Sequence, residues 1–139
     1  MKIMQLLVIA ALVTASFLTA STPAVFSPAD NYILVTTIAD EYDAGVDDGD
    51  CSLREAITAA VTDVPFGGCV GGSAVDDDWI DLDIGTYTLE RDGVDDANEY
   101  GDLDINTGAE GAIFISGEHP SATRIHGNGL DRIFRGKVI

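Results

Sequence analysis

From Trp79 onward the apolar residues of this chain fall on alternate positions, in runs too short to be anything but strands. Ile80, Leu82 and Ile84 alternate with Asp81 and Asp83, Tyr87 and Leu89 with Thr86 and Thr88, and Leu103 and Ile105 with Asp102 and Asp104. Ile113, Ile115, Ile125 and Ile133 follow, and Gly, Asn or Asp punctuates the gaps. A period of two sends one face of each run into a core and the other into water. The runs also recur: Ile80 to Leu103 and Ile113 to Ile133 each step by about twenty residues. Steps of that size suit the coils of a solenoid. An antiparallel sandwich, with strands every ~8–12 residues, gives much the same pattern, and spacing alone does not separate the two.

One segment has a different period. Ser52 can cap a helix and Glu55, three residues on, completes a capping box. Leu53, Ala56, Ile57, Ala60 and Val61 then form an apolar stripe, with Arg54, Thr58 and Thr62 off it. Pro65, Gly67 and Gly68 end the element, so the helix is expected to run for about ten residues and to need a surface to lie on. Upstream, residues 31–39 form a β-rich run. An acidic loop follows at 40–50, with Asp40, Glu41, Asp43, Asp47, Asp48 and Asp50.

Charge narrows the partners. The 139 residues hold 24 acids and 7 bases, a formal charge of −17. Nucleic acid and anionic membrane surfaces need clustered Lys and Arg, so neither is an expected partner. Residues 1–24 open with Lys2, continue with an apolar run from Leu6 to Val13, and end in Ala, Ser and Thr. This is the layout of a secretory signal peptide, with cleavage expected between residues 20 and 24. The other reading, an uncleaved anchor, has only about 18 residues from Ile3 to Ala20 to cross a bilayer. The mature chain is therefore expected outside the cell, secreted or at its surface, with no segment inserted in the membrane. In an oxidising compartment Cys51 and Cys69 are most simply one disulfide, worth roughly 3 kcal/mol for the loop it closes. Two free thiols, or two ligands of a metal, are the alternatives; a zinc site would have only His119 and His126 to draw on.

The run Cys51-Ser52-Leu53-Arg54-Glu55-Ala56-Ile57 resembles, letter for letter, the signature of the bacterial CSLREA-domain proteins. The resemblance extends upstream to Thr36-Thr37-Ile38-Ala39-Asp40. Downstream it takes in Ile80-Asp81-Leu82, Gly85-Thr86-Tyr87-Thr88-Leu89, Gly101-Asp102-Leu103-Asp104-Ile105 and Gly127-Asn128-Gly129-Leu130-Asp131-Arg132, so that it covers nearly all of the mature chain. The stretch 67–78 departs from it: Cys69 and a Gly-rich insert replace a short Asn/Pro-containing link, which leaves open how the helix joins the strands that follow. The resemblance implies an all-β fold, the N-terminal part of a right-handed parallel β-helix of the pectin-lyase-like kind, with one short amphipathic helix capping its end. A cap there would cover an apolar cross-section and unpaired strand edges. Three segments are expected: the leader at 1–24, the strand, acidic loop and capping helix at 25–73, and the first coils at 74–139. Because Gly136-Lys137-Val138-Ile139 stops as another apolar strand begins, further coils and an anchor are expected beyond it.

Within the signature, Glu55 is expected to cap the helix and Arg54 to pair with neighbouring carboxylates or carbonyls rather than to catalyse. The acidic clusters at 40–50, 76–83 and 92–104 are candidates for extracellular calcium, with Asp47, Asp48 and Asp50 first, though none has the EF-hand ligand order. No other cofactor is expected. Ser116 with His119 or His126 makes no triad. The few bases, Arg91, Arg124, Arg132, Arg135 and Lys137, would leave an anionic polysaccharide facing a repulsive field. The expected function is a non-catalytic, structural or adhesive segment of an exported surface protein, touching extracellular carbohydrate or protein. The alternative is the front end of a β-helical polysaccharide lyase or hydrolase whose active site lies beyond residue 139.

Overall fold

Among the described residues, strands form at seven places and the capping-box segment becomes a helix. The computed structural model describes residues 31–44, 46–106 and 111–136. The leader and Lys137 to Ile139 lie outside them. In chain order the elements are β1 (Asn31–Val35), α1 (Leu53–Thr62), β2 (Asp78–Leu82), β3 (Gly85–Thr88), β4 (Leu103–Ile105), β5 (Ile113–Gly117), β6 (Thr123–His126) and β7 (Phe134–Gly136).

Every ladder between these strands is parallel. β2 lies between β1 and β5, with Ile33, Ile80 and Ile115 in register, while β3 pairs with β6 and β4 with β7. Paired strands lie between 31 (Leu103↔Phe134) and 47 (Asn31↔Asp78) residues apart, so the recurrence of about twenty residues does not mark strands that lie side by side. An antiparallel sandwich is not what these residues form.

Nor is the expected solenoid. The all-β, right-handed parallel β-helix is corrected by the observed architecture, a small mixed fold with, among the described residues, one helix and three separate small parallel sheets of three, two and two strands. The physical reason lies in what alternation reports. It marks a half-buried extended run but says nothing of how many runs stack, and here each sheet ends after one or two pairings. The helix is also more than a lid. Leu53 to Ala60 are all buried, including Arg54 and Thr58, which helical periodicity places off the apolar stripe. α1 packs against β1, β2 and β4, and Leu53, Ala56 and Ile57 share one core with Ile33, Val35, Ile80, Leu82 and Leu103.

Several boundaries follow from local chemistry. β1 stops at Val35 because the next two amides donate to the Cys51 carbonyl at 2.8 and 3.3 Å instead of continuing a ladder. α1 ends one turn before Pro65, at Asp63 in the left-handed region (φ 58°). Ile84 does not extend the inward row of Ile80 and Leu82; it falls in the turn between β2 and β3 and is 57% exposed. The Gly-rich link folds back on the helix: the Gly72 amide donates to the Ala59 carbonyl at 3.1 Å, and the Ser73 amide to Asp78 Oδ1 at 2.8 Å.

Candidate functional site

The signature residues meet at the start of α1. The Ser52 hydroxyl accepts from the Glu55 amide at 3.2 Å, while Glu55 Oε2 accepts from the Ser52 amide at 3.0 Å, so two amides that the first turn would orphan are satisfied reciprocally. Glu55 does a second job: its Oε1 accepts from the Asp43 amide at 3.0 Å and ties the acidic loop to the helix. The Ser52 hydroxyl donates to the Glu41 carbonyl at 3.0 Å. Leu53, Ala56 and Ile57 point into the core. Cys51 and Cys69 are disulfide-bonded, with Cα atoms 4.8 Å apart, which fastens the helix start to the link after its end.

Arg54 is wholly buried. Its Nε and Nη2 donate to the two carboxylate oxygens of Asp40 at 2.7 and 3.1 Å, and its Nη1 and Nη2 also donate to the carbonyls of Asn98 and Gly101, both at 3.0 Å. Asn98 and Gly101 have left-handed backbones (φ 64° and 73°). Asp40 in turn accepts from the amides of Glu90 and Arg91 at 2.7 and 3.0 Å. A guanidinium and a carboxylate taken out of water are tolerated only when such bonds satisfy both. The pair joins three segments distant in sequence: the acidic loop, the helix, and residues 90–101.

The acidic loop arranges its carboxylates differently from the sequence expectation. Glu41, Asp43 and Asp48 each bring a ligand atom within 4.8 Å of the others. Asp47 and Asp50 are outside that group; Asp47 Oδ1 accepts from the Gly49 amide at 3.0 Å, and Asp48 Oδ1 from the Asp50 amide at 3.1 Å. Burial, then the nearby charges of Asp48 and Glu55, raise the Glu41 carboxyl above its ordinary value; the same causes raise Asp43. An all-oxygen trio suits a hard cation. Acidic loops also occur without an ion, and no metal role is assigned to this one.

The outer face of the β1–β2–β5 sheet holds features that the sequence expectations passed over. Tyr32, Trp79 and Phe114 are in register across its three strands. Trp79 and Phe114 are stacked with centroids 4.4 Å apart, and Tyr32 lies 6.3 Å from Trp79. Beyond this row a groove of about 850 Å³ opens along the strand ends, lined by Leu34, Ile38, Asp81, Asp83, Ile84 and Glu118 among others. The carboxyls of Asp83 and Glu118 lie close enough for a proton on one to be shared with the other, which raises Glu118 and lowers Asp83 from their ordinary values. Asp81 accepts from the Ser116 hydroxyl. The alternation of Asp81 and Asp83 with Ile80 and Leu82 was the available signal that these acids share a face.

Beneath the loop at 92–102, Asp104 is 1% exposed and neither carboxylate oxygen has a hydrogen-bond partner among the described residues; Arg135 Nη1 lies 3.6 Å away. Burial, then Asp102, raises its carboxyl above the ordinary range. Among the described residues, no helix is long and apolar enough to cross a membrane. No family model, curated protein or solved structure matches the chain.

Proposed function

We propose that this chain is a non-catalytic structural module of an exported protein, acting through surface contact rather than turnover. The observation that carries this reading is how the signature side chains are used. All three guanidinium nitrogens of Arg54 and both carboxylate oxygens of Glu55 are spent on the protein's own groups, in full burial, leaving neither free to touch a substrate. Export is supported by the leader-like residues 1–24 and by the disulfide, which suits an oxidising compartment. The likeness of residues 51–57 to the CSLREA signature of secreted and surface proteins points the same way.

A further reading, in which the described residues themselves cleave carbohydrate, would look to the groove acids. The carboxyls of Asp83 and Glu118 lie close enough to share a proton, whereas glycosidase carboxylates stand roughly 5 Å or more apart to admit the sugar or a water. Incubating the protein with neutral and acidic polysaccharides should release no new reducing ends and no unsaturated uronate absorbance. Turnover that disappears in Asp83→Asn would overturn the proposal.

A further inference from the structure

We infer that the groove along the ends of β1, β2 and β5 binds an extended peptide segment of another protein, one that presents basic and aliphatic side chains together. The charge of the lining decides the sign of the partner. Asp81, Asp83 and Glu118 bring carboxylates to the groove, and no Lys or Arg lines it among the described residues. The chain as a whole carries −17, so its field draws cations and repels anions.

The apolar part of the lining decides between a basic peptide and a basic sugar. Leu34, Ile38 and Ile84 stand 61%, 57% and 57% exposed along the groove, an unusual cost in water for three aliphatic residues on one surface. Branched aliphatic side chains fit such a surface and sugar hydroxyls do not. The aromatic row bordering the groove adds to the match. Tyr32 and Phe114, 53% and 40% exposed, end the ladder and can receive an ammonium or guanidinium over their rings. An extended peptide has the right periodicity, because residues two apart share a face and stand about 6–7 Å apart.

This inference takes from the proposed function only that the groove binds rather than turns over, so binding without cleavage separates the two tests. Trp79 is the chain's single tryptophan and lies in the aromatic row bordering the groove, which makes its fluorescence a local reporter. The probe is a blocked Lys-Ser-Val-Ser-Lys peptide, whose Lys and Val side chains share a face; a Lys-Ser-Ser-Val-Lys peptide of the same composition turns Val away. The first should perturb Trp79 emission saturably and bind at least several-fold more tightly than the second. Asp83→Asn combined with Glu118→Gln should weaken binding about tenfold or more, while Asp92→Asn combined with Asp131→Asn, an equal change of charge outside the groove, should alter it by less than about threefold. Thermal melts of both variants establish that they fold.

Equal weakening by the two double variants would reduce the effect to the general field and overturn the inference. So would equal binding of the two peptides, or binding that leaves Trp79 emission unchanged. Tighter binding of a glucosamine oligomer than of the first peptide would assign the groove to a saccharide and overturn the peptide class.

Discussion

Gly67 turns its α-carbon against the Glu55 carboxylate, so closely that a methyl group there would overlap it. Its backbone is left-handed (φ 56°), a region that costs an L-residue about 1–2 kcal/mol. Glu55 has nowhere to retreat, since both of its oxygens are held by the Ser52 and Asp43 amides. Gly67→Ala should therefore destabilise the fold by about 2 kcal/mol or more, strain and the broken cap adding. Urea denaturation measures this, and a loss below about 0.5 kcal/mol would show that the link after α1 does not press on the cap.

The bond between Cys51 and Cys69 closes a loop with a sequence separation of 18 around the whole helix. Replacing both cysteines by serine should cost roughly 3 kcal/mol, the chain-entropy value for such a loop. Part of this should reappear as faster proteolysis in the 63–73 link, which holds few other fastenings: the Phe66–Cys69 bridge and the Gly72 and Ser73 bonds. Limited proteolysis of the reduced and oxidised protein gives the direct comparison.

Acid should stabilise this protein before it harms it. Burial raises the carboxyls of Glu41, Asp43, Asp78 and Asp104 above their ordinary values. A carboxyl whose value is raised by folding gives stability that is complete below its unfolded value near 4 and fades as pH rises through the folded one. Asp83 has the opposite sign, and its contribution is lost only as pH falls through its depressed value. Relief of self-repulsion at −17 acts in the same direction as the raised group. Tm should be higher near pH 5 than near pH 8. Asp104→Asn should flatten that difference, because it replaces the buried carboxyl whose oxygens have no donors. A Tm that falls steadily from pH 8 to pH 5 would contradict this.

What was legible in the sequence was local. Around Leu103 alternation misleads, since Asp102 and Asp104 are buried too, but the spacing of Ser52 and Glu55 reports a bond between neighbours, and the alternation around Ile80 reports which side of β2 is buried. Both survive as structure because they need only the residues beside them. The larger shape did not follow, since runs of three to five residues pair the same way in a short parallel sheet and in a long stack. Partners were hidden for a similar reason. Asp40 is one of six acids in a single loop, and nothing in its own segment marks it as the one that reaches Arg54. The loop's trio formed around Glu41 and Asp43, rather than Asp47 and Asp50, because Glu55 pulls the Asp43 amide toward the helix. The groove escaped notice because its acids lie on or just after β2 and just after β5, over thirty residues apart, and only register brings them together.

The most direct measurement of the structural role of the signature is a double-mutant cycle on Arg54 and Asp40, read by urea denaturation and compared with the unaltered protein. Arg54→Ala alone and Asp40→Ala alone should each cost about 3–5 kcal/mol, because each strands a buried charge. The double variant should cost clearly less than their sum, with a coupling energy of about 2 kcal/mol or more. If Arg54→Ala leaves stability within about 0.5 kcal/mol of the parent, or the two losses simply add, the guanidinium is not what holds the loop, the helix and residues 90–101 together, and a role outside the fold must be sought for it.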